Sequence, residues 1–227
     1  MFAKQYSRYY EVFNQDKNRK KEIDFVYKWA GNPTTILDIG CGTASYWKHF
    51  PEGAIVHGIE KSEYMASRSP WAPRIVVADI ATMAVPCIKR GVPDTFTRLF
   101  DTYDAATAIF DVINYLPDHN WWKFLPIKKG GYFVFDVWDK TKVEAEGFKE
   151  TLKRFGGISR RIIPLGYNGQ AVDLRIEIFD NGITLHERHR MFVYSRQEIE
   201  DFCGDDFLIV DVKKTKDWQT WFRLQKK

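Results

Sequence analysis

Residues 34–47 read TTILDIGCGTASYW, and the order of residue types in this stretch decides the fold. Thr35, Ile36 and Leu37 are β-branched or aliphatic, as in a short buried strand. Asp38 follows, then glycines at 40 and 42, and then a pattern that reads as the start of a helix. Glycine lets the backbone take positive φ and approach a ligand closely, while the first turn of a helix offers unpaired N–H groups to polar or anionic atoms. A strand, tight loop and helix in this order point to a nucleoside-type cofactor.

Working outward, the same grammar repeats. Ala54–Ile59 is a second short apolar run ending at Glu60, with a helix expected from Ser62 to the region closed by Pro70. Arg74–Ala78 is a third, ending at Asp79. Three successive strands thus end in carboxylates, at 38, 60 and 79, on the side where open α/β sheets bind ligands. Tyr103–Phe110 reads as a fourth buried strand, and a helix is expected beyond Pro117. Lys128–Gly131 reads as a turn ahead of a fifth strand, YFVFDVW, and residues 80–102 read as a loop with a short helix. Strands alternating with helical stretches imply a parallel, doubly wound sheet.

Upstream, Tyr6, Tyr9, Tyr10 and Phe13 recur every three or four residues, which predicts a helix over 1–16 packed on the domain. A second helix is expected over 17–30, stopped by Gly31-Asn32-Pro33. Downstream, two Asn-Gly pairs, at 168–169 and 181–182, are hairpin signals. They predict an antiparallel meander of three strands over 156–194, a substrate lid inserted into a core formed by 1–155 and 195–227. Ser195 to Glu198 is a capping-box helix start, and DFLIVDVKK and TWFRLQKK read as a closing hairpin of the main sheet.

Composition bounds the function. With 227 residues, 44% of them hydrophobic, the chain suffices for one large α/β domain. Its 34 basic and 30 acidic residues leave a net charge of only +4, so no nucleic-acid surface is indicated. Cysteines at 41, 87 and 203 form neither a disulfide framework nor a zinc motif, which suggests a reducing, cytoplasmic setting. No apolar run is long enough to span a bilayer. No metal site is expected.

LDIGCGT, HGIEKSEYM, VVADI, YDAATAIFDVINYL and KKGGYFVFDVW, in this order, resemble the class I S-adenosylmethionine-dependent methyltransferases. The likeness spans the chain. It is similar in particular to small-molecule members such as the amino-sugar N-methyltransferases, with their Tyr-rich N-terminal helix and a β insertion after the fifth strand. The resemblance implies a Rossmann-like seven-stranded sheet and methyl transfer from S-adenosylmethionine to nitrogen or oxygen of a small molecule, a sugar among the candidates, with S-adenosylhomocysteine as product.

The residues implied follow the motifs. Asp38, Gly40, Cys41 and Gly42 would meet the methionine part of the cofactor, and Glu60 would accept both ribose hydroxyls, beside Lys61. Met65 would pack near the adenine, Asp79 would accept the adenine amine, and the Ile80 backbone would read the ring. Phe110 and Asp111 would sit beside the methyl. Ala44 stands where a third glycine is usual, and is tolerable there if the helix begins without positive φ. Arg19, where the family often has an aromatic residue, is expected to reach the cofactor carboxylate through its fork of donors.

An amine or hydroxyl acceptor must lose a proton, so a positioned base is useful. His189 is the candidate, with Glu187 on the same strand face to orient it, in a segment resembling the family's acid-x-His element. Tyr10, Asn114 and Tyr115 are expected as acceptor-binding groups near the cofactor mouth, Tyr10 also as a cofactor contact and Tyr115 as a second catalytic candidate. The other histidines, 49, 57, 119 and 186, read as packed or exposed residues. A nucleic-acid substrate is disfavoured, since DVINYL occupies the place of the Asn-Pro-Pro-Tyr type motif of amino-methylating DNA enzymes. The alternatives are an RNA or protein methyltransferase, or a non-catalytic protein that kept the cofactor-binding fold. An NAD dehydrogenase fits less well. A homodimer is left open.

Overall fold

Thr35–Ile39 forms β1, buried from Ile36 onward, and both its edges are used. It pairs in parallel with β2 (Ile55–Glu60) on one side and with β4 (Tyr103–Ala108) on the other, and its apolar side chains are buried in the layers on both faces, Leu37 and Ile39 on one and Ile36 on the other. This computed structural model describes residues 4–14, 18–82, 103–215 and 218–227. Beyond β2 lies β3 (Ile75–Val77), and beyond β4 lies β5 (Ile127–Trp138), both parallel. The sheet is completed by β11 (Gln219–Lys226), antiparallel to β5, and β10 (Phe207–Lys214) at the edge. The seven strands run β3-β2-β1-β4-β5-β11-β10.

Two apolar layers hold this sheet. On one face Trp122, Phe133, Phe135, Phe207 and Phe222 pack together, with Phe135 and Phe222 stacked at 5.5 Å between ring centres. On the other, Ile23 and Val26 of the helix Arg19–Trp29 cover Ile36, Val56, Ala105 and Val134. Each fully buried large side chain contributes about 1.5–3 kcal/mol, so the two layers are the main source of stability. The Asn18 side chain caps that helix at Lys21 N, and Gly31 and Asn32, at φ +85° and +55°, end it.

A second sheet of four antiparallel strands runs β6-β7-β8-β9. Its strands are Thr151–Phe155, Ile158–Tyr167, Ala171–Asp180 and Ile183–Phe192. It therefore has one more strand than the predicted meander, and it starts before residue 156. Ser195 and Glu198 form the expected reciprocal capping box of the helix Arg196–Cys203.

Several expected helices are shorter or replaced. The helix over 1–16 is one turn, Lys4–Ser7, then a turn and a 3-10 segment, Val12–Asn14. Its aromatics serve different partners: Phe13 packs edge-on against Phe155, and Tyr9 donates to Asp180 at 2.8 Å. The segment thus packs on the second sheet as well as on the core domain. The helix after the glycine loop is only a 3-10 turn, Trp47–His49. Ala44 sits at φ +52°, Phe50 precedes Pro51, and few residues lie between. Beyond Pro117 a 3-10 segment, Asn120–Phe124, replaces the helix. The Lys128–Gly131 turn is part of β5, as a bulge that sets Tyr103 against Ile127 and Ala105 against Tyr132. The expected loop and short helix over 80–102 falls mostly outside the described residues, as does Cys87.

Candidate active site

The glycine loop is fixed from below and from the side. Asp38, wholly buried, accepts hydrogen bonds from Tyr46 Oη at 2.5 Å, Trp47 Nε1 at 2.6 Å and Thr107 Oγ1 at 2.9 Å. Burial raises its carboxyl to about 6 against the pull of those donors. With three protein donors on it, Asp38 anchors the turn beneath the cavity rather than lining it, a correction to its expected contact with the methionine part. Gly40 and Cys41 donate their N–H groups to Ile59 O, at 2.7 and 3.2 Å. Gly40 takes φ +65°, and a Cβ there would stand 2.6 Å from Val112 Cγ2, so the position admits only glycine. Ala44, expected without positive φ, has it.

Glu60 closes the loop's far side. Its Oε2 accepts Gly42 N–H at 2.8 Å and its Oε1 accepts Ser62 N–H at 2.7 Å. Burial pushes its carboxyl up, and the backbone N–H groups of Ser62, Gly42 and Lys61 oppose this. A carboxylate has about four lone-pair sites, so acceptor capacity is left for a hydroxyl. Gly40, Cys41, Gly42, Glu60, Lys61, Met65, Asp79 and Ile80 all line one cavity of about 340 Å³. Asp79 is paired with Lys61 Nζ at 2.5 Å and accepts Ala81 N–H at 3.1 Å. Arg19 lies one layer behind that wall: its guanidinium carbon is 3.9 Å from the Phe110 ring centre and its Nη1 is 3.6 Å from Glu22, so the expected reach into the site is not made.

At the end of β4, Phe110 and Asp111 both hold left-handed backbone, φ +67° and +69°. Such residues cost on the order of 1 kcal/mol each, and Asp136 meets the cost. Its two carboxyl oxygens accept Phe110 N–H at 2.8 Å and Asp111 N–H at 3.2 Å. Gln219 Nε2 donates to both Asp136 and Asp111 at 3.1 Å, and Trp138 Nε1 donates to Asp111 at 2.8 Å. Sequence reading passed over Asp136, although it too is an acid near a strand end, in YFVFDVW.

The second sheet and the N-terminal segment make the opposite wall. Tyr6, Tyr10, Asn14, Arg160, Leu174, His189 and Met191 line the cavity with Tyr115 and Trp138. His189, 5% exposed, stands between Tyr115 Oη, 3.0 Å from Nδ1, and Glu187 Oε2, 3.1 Å from Nε2. The Glu187 carboxylate accepts from Nε2–H, which assigns the lone pair to Nδ1 and makes Tyr115 the donor to it. Burial pushes the Tyr115 hydroxyl well up, so it stays protonated and can relay rather than lose its proton. Asn114 is buried instead beneath the cavity, bonded to Phe192 O at 2.5 Å and accepting from Trp138 N. Glu11, not expected in the site, accepts from Thr43 and Ser45 and so ties the N-terminal segment to the glycine loop.

Solved structures share this architecture along its whole length. An S-adenosylmethionine-dependent methyltransferase from Clostridium acetobutylicum superposes with a TM-score of 0.74 at 17% identity, covering 98% of each chain. DesVI of Streptomyces venezuelae gives 0.75 at 16%, again covering 98% of each. CalS10, an amino pentose methyltransferase from Micromonospora echinaspora, gives 0.71 at 17%, covering all of this chain and 98% of that one. The chain has the class I methyltransferase fold. No profile of a known protein family matches it, and neither does any curated protein sequence.

Proposed function

We propose that the protein is an S-adenosylmethionine-dependent methyltransferase acting on nitrogen or oxygen of a small molecule, a sugar among the candidates. The observation that carries this is Glu60, a carboxylate held by Gly42 N–H and Ser62 N–H at the cavity wall with acceptor capacity left for a ribose hydroxyl. The neighbours support it: CalS10 was solved with S-adenosylmethionine bound, and a sugar N-methyltransferase, KedS8, shares the fold. The cofactor would lie along Gly40–Gly42, Glu60, Met65 and Ile80, and it supplies a methyl on a sulfonium, an electrophile that needs no metal. A cytoplasmic setting agrees with Cys41 and Cys203, both free and buried, and no helix among the described residues is long and apolar enough to cross a membrane.

The chain's own contribution is position and proton transfer. The second sheet acts as the lid that holds an acceptor over the glycine loop in a site screened from water. Tyr115 accepts the acceptor's proton as it passes its own to His189 Nδ1, and Glu187 stabilises the resulting imidazolium. A positioned base of this kind is worth roughly 10²–10⁴ in rate. The test is transfer of labelled methyl from S-adenosylmethionine to a panel of small amines, alcohols and amino sugars. We expect label in at least one acceptor, and roughly a 100-fold or greater loss of kcat in Tyr115→Phe with cofactor affinity unchanged. Label confined to protein or RNA would replace the small-molecule reading. Unchanged turnover in Tyr115→Phe would remove the relay.

A further inference from the structure

Thr43 and Ser45 flank Ala44, the left-handed residue of the glycine loop at φ +52°. Their hydroxyls donate to the two oxygens of one carboxylate, Thr43 to Glu11 Oε1 and Ser45 to Glu11 Oε2 at 3.0 Å. Glu11 therefore brackets this strained turn, as Asp136 brackets Phe110 and Asp111. The bracket stands next to Gly42, whose N–H holds Glu60 at the cavity wall. Gly42 and Glu60 line the cavity, whereas Glu11, Thr43 and Ser45 do not. What Glu11 does for the site, it does through other residues.

The segment that carries Glu11 also reaches the opposite wall. Tyr6, 3% exposed, packs on His189 with 6.2 Å between ring centres, and hydrogen-bonds Arg160. Tyr115 and Glu187 hold the two nitrogens of His189, and Tyr6 and Tyr115 are rings packed on it. Between Tyr6 and Glu11 the segment is bonded to itself: Tyr9 N–H donates to Tyr6 O at 2.9 Å, Phe13 N–H to Tyr9 O at 3.1 Å, Asn14 N–H to Glu11 O at 3.2 Å and Asn14 Nδ2 to Tyr10 O at 2.7 Å. Residues 6–14 thus form one continuous network, and a shift at Glu11 is passed to the Tyr6 ring.

We propose that Glu11 is a positioning residue for the proton relay: by holding Thr43 and Ser45 it seats the segment that keeps Tyr6 on His189, so that a formed cofactor loop and an aligned base belong to one state. This rests on the methyl-transfer reading and adds an order to it, since the relay is aligned when the cofactor is on the loop. Coupling of this kind is reciprocal, so unseating the segment also weakens the cofactor.

The test records the His189 imidazole resonances by proton–nitrogen correlation spectroscopy, assigned by their absence from His189→Gln, and the affinity for S-adenosylhomocysteine by calorimetry, in wild type, Glu11→Ala and Glu11→Gln. In the ligand-free proteins we expect Glu11→Ala to displace the His189 resonances, and Glu11→Gln, which keeps an acceptor oxygen without the charge, to lie closer to wild type. S-adenosylhomocysteine should bind Glu11→Ala roughly fivefold or more weakly than wild type. His189 resonances unmoved in Glu11→Ala would overturn the proposal. Equal displacement in both variants would overturn it too, because the effect would then follow the charge of Glu11 and not the seat it provides, and so would an unaltered cofactor affinity in Glu11→Ala. Failure of S-adenosylhomocysteine to bind the wild-type protein would instead defeat the methyl-transfer reading, while the ligand-free spectra still decide whether Glu11 seats Tyr6 on His189.

Discussion

Ala44 shows how much of the cofactor loop is set by single residues. At φ +52° and fully buried, it carries a left-handed cost of about 1–2 kcal/mol. Ala44→Gly would relieve that cost, but it would lose a buried methyl, about 0.8 kcal/mol, and free the unfolded backbone by a further ~0.4–1 kcal/mol. These terms cancel, so Ala44→Gly should unfold in urea within about 1 kcal/mol of wild type. Ala44→Val, β-branched in the same conformation, should lose about 2 kcal/mol or more. At this scale the sequence was informative where a residue type has few alternatives. Gly40 was legible because a close backbone approach at positive φ demands glycine, and the acid at 60 because a strand-end position brings it to the cavity wall. Asp38 was misplaced because its neighbours Tyr46 and Trp47 turn back on it, a tertiary fact that strand-end position does not reveal.

At the scale of elements, the short 3-10 segments form around side-chain demands rather than around helical periodicity. His119 illustrates this before Asn120–Phe124. Its ring is buried among Trp122, Tyr194 and Phe202, 4.9, 4.8 and 4.5 Å between centres, with neither ring nitrogen hydrogen-bonded. Burial lowers its pKa to about 3 from 6.5. The folded state therefore keeps it neutral while the unfolded chain protonates it below 6.5, so its contribution to stability is intact above pH 6.5 and is lost as pH falls toward 3. His119→Phe should be more stable than wild type at pH 8, by about 1 kcal/mol for two nitrogens no longer buried unbonded. The margin should widen by roughly 2 kcal/mol at pH 5; denaturant unfolding at both values checks this, and a constant margin would contradict it. The strands of the main sheet were legible from apolar runs. Thr151–Phe155 was not, because it is half-exposed along its length and shows no apolar face. The aromatic spacing over 6–13 suggested a helix, yet Tyr9, Tyr10 and Phe13 go to Asp180, the cavity and Phe155 respectively.

For the whole molecule, one cavity lies where the glycine loop, the end of β4, the N-terminal segment and the second sheet converge. Glu11 ties the segment to Thr43 and Ser45 on the loop, and Tyr9 ties it to Asp180 on the second sheet. That convergence depends on long-range contacts, which is why Tyr10, Tyr115 and His189 were expected at the site from their segments while Asn14, Arg160 and Met191 beside them were not. Methyl transfer here requires the cavity to accept a ribosyl sulfonium cofactor, with Glu60 on the ribose. Titration calorimetry of S-adenosylhomocysteine into wild type and Glu60→Ala measures this directly. We expect saturable one-to-one binding to the wild-type protein and about 30-fold or greater weakening in Glu60→Ala, the loss of hydrogen bonds to a charged acceptor. Absence of binding to wild type, or equal affinity in the variant, would contradict it.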